Sequence, residues 1–480
     1  MTTITVLAGE RTIGGTQIVV EDEGARLLFD CGIAFDPAGD PFAHVRRRPG
    51  RGVADLLKLG MAPAIPGLYA QEHGEIGAGA LPPSGGPLAV ALSHSHLDHT
   101  HLLGFVSGEI PVYASEPAAR IARVLSDTGA SLAMLQRPIQ ALPDPGSFTV
   151  GPMNVQLLPV DHDVGGASAM LIETSDGVIA YSGDLRLHGL HPDRSLAFAR
   201  AARNANARIL ILEGTRLSPP PEPGTALLPD RTEAEVVPCM MAALTEVPGR
   251  LGVVLLTPEN GERVEALAIA AAAAGRLLVL DLEGLAFATA ALGRPIAAPH
   301  AVYLPDEDAE RVTGGRPQGS PLREALEAAP RSVTAAEMAA DPGAFLLRLP
   351  FDRFAELLDL NPRGGVVMQA NGTPLGRFDP SWASMEWWAA RLDMRVVECG
   401  SSGHAAPQDL ARLAEGSGAP VIMAIHSRYP ELMPVPSERL LLPVRGYRYE
   451  VAGGIGHHTE GGMPPGASPT RAPPTGGRSS

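Results

Sequence analysis

Lysine is almost absent from this 480-residue chain, Lys58 being the single one, and only three cysteines occur. Positive charge therefore rests on arginine, and the formal net charge of −15 excludes broad adhesion to nucleic acid through a basic surface. It does not exclude a nucleic-acid substrate, because divalent cations in a cleft offset nearby carboxylates. Cys31, Cys239 and Cys399 are scattered and form no C-x-x-C, which predicts neither a disulfide framework nor a thiolate metal site. No run approaches the ~18 to 20 apolar residues of a membrane span. The first residues lack a basic region followed by an apolar one, so a cytoplasmic protein without a membrane partner is expected. With 45% hydrophobic and 19% charged residues, the chain reads as globular, with core enough for two or three domains.

Against these absences stands one dense motif, Ser93-His94-Ser95-His96-Leu97-Asp98-His99, after the apolar run Leu88 to Leu92. On an extended segment His94 and His96 project from one face, and Asp98 and His99 lie one turn onward, where a helix is predicted over 97–106. One pair can hold one metal and the other pair a neighbouring metal. Imidazole and carboxylate are zinc-type donors, and a surface His-rich loop explains this spacing poorly.

The opening reads as consecutive antiparallel strands at 4–7, 16–21 and 26–30. Further strands at 155–160, 169–174, 178–181 and 207–212 precede a change of grammar to strand–helix alternation from 253 onward, the pattern of a parallel sheet. Residues 305–351 are Pro/Gly-rich with short helical stretches, and the composition beyond about 461 predicts a disordered tail. Trp387 and Trp388 read as core packing rather than a base-stacking platform. For Arg46-Arg47-Arg48 with Arg51, a solvated loop and an RNA-contact loop stand about even. His162, Asp184 and His426 each follow a predicted strand, and strand ends along one sheet edge converge, completing seven candidate ligands with His94, His96, Asp98 and His99.

In this order, Asp30, H-x-H-x-D-H, His162 and Asp184 resemble the metallo-β-lactamase fold, with Leu-Leu-Phe-Asp-Cys-Gly and Tyr-Ser-Gly-Asp-Leu in the places of its first and fourth motifs. Leu212-Glu213-Gly214-Thr215, Ser402-Gly403-His404-Ala405 and Ile425-His426 narrow the resemblance to the β-CASP branch, mostly RNA and DNA processing nucleases of the ribonuclease J and pre-mRNA 3′-end endonuclease kinds. The resemblance implies an α/β fold: a metallo-β-lactamase αββα sandwich over 1–214 and 394–455 with an inserted β-CASP domain over 215–393. It implies two Zn²⁺ ions, with Mn²⁺ or another divalent ion as substitutes. His94, His96 and His162 would hold the first, Asp98, His99 and His426 the second, and Asp184 would bridge. Asp30 would orient His ligands by hydrogen bonding. A His at position 426 tilts the branch towards RNA.

Two adjacent zinc ions supply a nucleophile at neutral pH and stabilise charge on a phosphoryl oxygen, which suits phosphodiester hydrolysis. A departing sugar oxygen still needs a proton; His404, held by Glu213, is the candidate acid, so Asp98, Asp184, Glu213 and His404 form the catalytic set. Ser401 and Ser402, before a helix, are weaker candidates for binding phosphate. The expected function is a zinc-dependent ribonuclease, endonucleolytic or 5′-exonucleolytic, in RNA processing or decay. A lactone, lactam or thioester hydrolase and a DNA nuclease are the competitors, with a noncatalytic binding subunit behind them. Thr100, His101 and Asp163 depart from the resemblance: Ser is common after the third-motif His. The chain also ends without the folded C-terminal domain through which many relatives dimerise, leaving a homodimer an open expectation.

Overall fold

A computed structural model of the chain describes residues 1–36, 39, 41–42, 45–48, 51–70, 81–220, 230–305, 317–452 and 458–459. The predicted tail falls outside the described residues. Three sheets organise the rest. The first runs His458–Thr459, Arg448–Glu450, Thr3–Ala8, Gln17–Asp22, Ala25–Phe29, Leu88–Ala91, Val112–Ser115 and Gln140–Leu142. The second runs Leu440–Leu441, Val421–Ile425, Ile209–Glu213, Gly177–Tyr181, Ser168–Thr174, Met153–Pro159 and Gly146–Val150.

These two sheets face each other across a dry layer in which Ile4, Val20, Phe29, Ile172, Tyr181, Ile211 and Met423 are buried. Alternation explains the arrangement: in Gln17–Asp22, Ile18 and Val20 point into this layer, while Val19 packs with Leu28 and Val90 on the other face. Helices cover the outer faces, so the pair forms the expected four-layer sandwich.

The third sheet, Ser332–Val333, His300–Tyr303, Leu277–Asp281, Phe345–Arg348, Gly252–Leu256, Val366–Ala370 and Arg395–Glu398, is parallel throughout. Its strands are apolar runs separated by helices such as Gly261–Ala273 and Leu282–Leu292, as a parallel sheet buried on both faces demands. Arg395–Glu398 pairs with Val366–Ala370, so this sheet reaches beyond the expected boundary at 393. One apolar core spans the junction between the units, joining Leu210, Leu212 and Phe198 to Met240, Leu267 and Leu285.

Three local expectations are corrected. The helix expected over 97–106 is only Leu97–Thr100, followed by a 3₁₀ turn at Leu103–Phe105. In helix Ser381–Arg391 the buried face carries Trp382, Met385 and Ala389, at helical spacing, and leaves Trp387 56% exposed. Cys239, in helix Glu233–Thr245, is disulfide-bonded to Cys399, just past strand Arg395–Glu398, with 5.6 Å between Cα atoms. Their separation of 160 residues hides the pairing in the sequence; the parallel topology creates it.

Candidate metal centre and its cleft

Every candidate ligand stands at the end of a strand, in the turn after one, or on the short helix that follows. The turn after Leu88–Ala91 delivers His94 and His96, and the short helix Leu97–Thr100 carries Asp98 and His99. The turns after Met153–Pro159 and Gly177–Tyr181 bring His162 and Asp184, and Val421–Ile425 ends on His426. Two residues here take left-handed backbone, Asp30 with φ 54° and His426 with φ 51°. Close packing also fixes glycine at 32, where a Cβ would lie 1.6 Å from the Asp98 carbonyl oxygen.

The ligand atoms form two adjoining groups. His94, His96 and His162 bring their nitrogens together, as do Asp98, His99, Asp184 and His426 their donor atoms, all within 4.8 Å of one another in each group. His162 Nε2 lies 3.2 Å from His96 Nδ1, and His99 Nε2 lies 3.2 Å from both His426 Nε2 and Asp184 Oδ2. His94 Nε2 is 3.7 Å from the same Asp184 oxygen, which therefore stands between the groups.

The donor set fits divalent cations. Ligand bonds of about 2.0 to 2.1 Å at tetrahedral angles put neighbouring donors about 3.4 Å apart, close to the separations seen. His94 Nε2 and Asp184 Oδ1 are buried without a hydrogen-bond partner among the described residues. The outward-facing nitrogens are fixed: His99 Nδ1 donates to Asp30 at 2.9 Å and His162 Nδ1 to the Gly403 carbonyl at 2.6 Å. His94 Nδ1 meets Ser93 Oγ at 3.0 Å, and His426 Nδ1 meets Thr215 Oγ1 at 2.7 Å. Each contact turns the other ring nitrogen, with its lone pair, inward. Burial pushes His94 and His162 down, His162 to about 4, keeping both as neutral donors. His99 is pulled up: burial opposes its charge, but Asp184, Asp98 and Asp30 outweigh it. The cluster of carboxylates and imidazoles suits a divalent cation at the centre.

Beside this centre, His404 Nδ1 lies 3.5 Å from Glu213 Oε1 and 3.7 Å from Asp184 Oδ2. Glu213 is fully buried, and its carboxylate accepts from the Thr215 amide at 2.8 Å and the Ala405 amide at 3.3 Å. Burial disfavours charge on His404, but Glu213, then Asp184 and Asp163, overcome it and lift the imidazole to about 9. Ser401 and Ser402 lie on the same loop. The Ser401 hydroxyl donates to the Arg231 carbonyl at 2.8 Å and its amide to Asn371 Oδ1 at 2.9 Å, while Ser402 Oγ accepts from the His404 amide at 3.1 Å.

Ser93, Tyr181 and Thr215 received no role from sequence reasoning, although each stands inside a quoted motif. Asp163, noticed as a departure, sits 3.4 Å from His162 Nε2 and 3.9 Å from His96 Nε2. His101 belongs to neither ligand group and does not line the cleft. Arg48 is paired with Asp55, and Arg47 stacks on the Phe42 ring.

The ligands and His404 open into a cleft of about 880 Å³ whose walls come from both units, with Phe35, Tyr429 and Arg428 from the sandwich and Phe287, Asn371 and Phe378 from the inserted region. Sandwich and donor set together define a metallo-β-lactamase-fold protein with a metal-dependent hydrolase's centre. The Beta-lactamase superfamily domain matches residues 64–255. Ribonuclease J of Corynebacterium glutamicum is 23% identical over 337 residues, 66% of this chain and 41% of that protein. Ribonuclease J of Pyrococcus abyssi is 23% identical over 230 residues, 45% of this chain and 46% of that protein. The chain thus spans less than half the length of these curated relatives. A crystal structure of a protein of unknown function from Enterococcus faecalis V583 is 28% identical with a TM-score of 0.77, covering 93% of this chain and 99% of that one. The matches support a likeness to the ribonuclease J-like, β-CASP branch of the metallo-β-lactamase fold. Among the described residues no helix is long and apolar enough to cross a membrane.

Proposed function

We propose that the protein is a dinuclear zinc-dependent ribonuclease hydrolysing RNA phosphodiester bonds. One observation carries this reading: two donor groups joined at Asp184 stand beside a buried Glu213–His404 pair at the floor of one cleft. When bound, the two cations supply a nucleophile at neutral pH and neutralise charge developing on the phosphoryl group. His94, His96 and His162 would hold one, Asp98, His99 and His426 the other, and Asp184 would contribute to both. Zinc suits this donor set, and Mn²⁺ is the alternative the carboxylates also accept.

The chain's own residues divide the remaining work. Asp30 and the Thr215 hydroxyl orient His99 and His426. His404 delivers its proton to the departing ribose oxygen, and Glu213 holds the imidazole and favours its protonated form. A lactone or thioester substrate would leave the Glu213–His404 pair and the inserted wall of the cleft without a role.

The test is incubation of the zinc-loaded protein with matched 5′-monophosphorylated, 5′-triphosphorylated and circular RNAs and their DNA counterparts, beside Asp98→Ala. Metal-dependent RNA products lost in the variant support the reading, and cutting of the circle marks endonuclease action. Intact substrates with a protein holding two zinc ions overturn it.

A further inference from the structure

Three arginines line the cleft, Arg216, Arg231 and Arg428. Arg428 is paired with Asp36 at 3.3 Å in an exposed contact. Arg216 is arranged differently: Nη2 meets Asp230 Oδ1 at 3.0 Å, while Nη1 is buried and has no hydrogen-bond partner among the described residues. Leaving a buried N–H donor unpaired is costly, which favours an acceptor arriving with the substrate. The other buried atoms of the lining that lack partners include Asp163 Oδ1 and Glu259 Oε2, both carboxylate oxygens that repel a phosphate. Among those atoms Arg216 Nη1 is the one on a permanent cation.

Its position is fixed from both sides. Arg216 follows Thr215, whose hydroxyl bonds the His426 ring, and precedes Leu217, which is 3% exposed and whose amide donates to the Gly214 carbonyl at 3.0 Å. The guanidinium is thus tethered one residue from a side chain that touches a candidate ligand. Asp230 holds the guanidinium through Nη2 alone, and the side chain, 26% exposed, keeps further N–H groups that a phosphate can accept from. Arg231 adds charge alongside: its guanidinium has no ion pair among the described residues, and its carbonyl accepts from Ser401.

We infer that Arg216 is a substrate-binding residue that clamps a non-scissile backbone phosphate of single-stranded RNA in the cleft. The inference rests on the ribonuclease reading and adds to it a side chain outside the ligand set and the Glu213–His404 pair. It also gives a strongly acidic protein a local anchor for a polyanion.

The experiment measures kcat and KM of the zinc-loaded full-length protein on a labelled single-stranded RNA across a sodium chloride series, for wild type, Arg216→Gln and Arg216→Lys. Each neutralised phosphate of a single strand contributes a salt slope of about −0.7. Arg216→Gln is expected to flatten the slope of log(kcat/KM) against log[salt] by about 0.7, with KM rising about tenfold or more and kcat changing less. Arg216→Lys keeps the charge and therefore the slope, but loses the fork and raises KM. An unchanged slope in Arg216→Gln, or a loss confined to kcat, overturns the clamp while leaving the ribonuclease reading intact. If wild type cuts no RNA yet hydrolyses a small activated phosphodiester, the ribonuclease reading itself has failed and the clamp falls with it.

Discussion

Asp30→Asn changes one atom's chemistry and almost no volume, yet the structure makes it expensive. Asp30 is fully buried with a left-handed backbone, and its Oδ1 accepts from the Ser93 amide at 2.8 Å. Oδ2 accepts from the Ser93 hydroxyl at 2.8 Å, Tyr181 OH at 2.5 Å and His99 Nδ1 at 2.9 Å. An asparagine that keeps its oxygen towards the Ser93 amide turns its NH₂ on the other three groups. The two hydroxyls can rotate and accept. His99 cannot: either its Nδ1–H faces another donor, or the proton moves to Nε2 and removes the lone pair the metal needs. Losing one charge-assisted hydrogen bond in a dry site costs about 1.5 to 3 kcal/mol, and disturbing the partner of a metal-ligating His lowers metal affinity about 10- to 100-fold. Thermal unfolding of the chelator-treated protein should show the first effect. Competition of the zinc-loaded protein against a chromophoric chelator should show the second. Tyr181→Phe, which removes a donor without touching His99, should lower stability but leave zinc affinity close to wild type. A variant Asp30→Asn with wild-type zinc affinity would refute the argument that this carboxylate sets the His99 tautomer.

Glu213→Gln keeps the buried shape but removes the charge that supports His404; kcat on RNA should fall about 10²-fold, and a p-nitrophenyl phosphodiester, whose leaving group needs no proton, should lose far less, so equal losses would reject His404 as an acid. Glu265 is held near 2, against an ordinary 4.5, by hydrogen bonds from Arg294 and then the Ala297 amide. Its folded value is depressed, so the pair's contribution is full above pH 4.5 and is lost as pH falls towards 2. Arg294 is half exposed, which limits the effect to about 1 kcal/mol or less, measurable as a shrinking stability difference between wild type and Glu265→Gln on acidification. Cys239→Ser should cost the oxidised protein about 2 to 4 kcal/mol and the reduced protein almost nothing, so equal midpoints under oxidising conditions would show that the Cys239–Cys399 bond carries no stability.

That the candidate ligands would cluster was legible because their chemistry and their position coincide: most follow an apolar run, and strand ends of one sandwich edge meet. The same reasoning extracted the parallel sheet from continuous apolar strands such as Gly252–Leu256, since the signal is local. The helix after the motif read too long because Leu102, Leu103, Phe105 and Val106 suit a helix, whereas the real chain breaks after Thr100 and buries them through a 3₁₀ turn. Trp387 and Trp388 read as core because aromatic side chains usually are; the register of the helix, set by Trp382 and Met385, puts Trp387 outside. Ser93, Tyr181 and Thr215 lie within the quoted motifs but were given no role there, since a hydroxyl that orients an imidazole looks like any other hydroxyl until the ring is placed. The disulfide joins residues 160 apart, and the charge network between the units is closed by contacts such as Arg186 to the Ser402 carbonyl, 216 residues apart, which no window of sequence contains.

That network bears on catalysis. Arg186 is buried and its Nε donates to Asp161 at 2.9 Å, its Nη1 to the Ser402 carbonyl at 3.1 Å, and it pairs with Glu233 at 3.0 Å. Glu233 also binds Arg263 at 2.6 Å, and Arg263 Nη1 reaches Asn371 Oδ1 at 3.2 Å, the atom that accepts from the Ser401 amide. The chain of contacts starts on one side of the Ser401–His404 loop and returns to the other. Asp161 and Arg186 belong to the sandwich side, Glu233, Arg263 and Asn371 to the inserted region. Burying four charges costs desolvation that apolar residues would avoid, so stability alone does not account for them. What the charges add is direction: Glu233 Oε2 is shared by Arg186 and Arg263, and Arg186 Nη1 reaches both Glu233 and the Ser402 carbonyl, so the two units dock in one register and the loop carrying His404 is held from both. The imidazole that faces Glu213 at 3.5 Å is therefore placed by the interface between the units as much as by its own loop. The inserted region thereby helps to place His404, although among the described residues it supplies none of the candidate metal ligands.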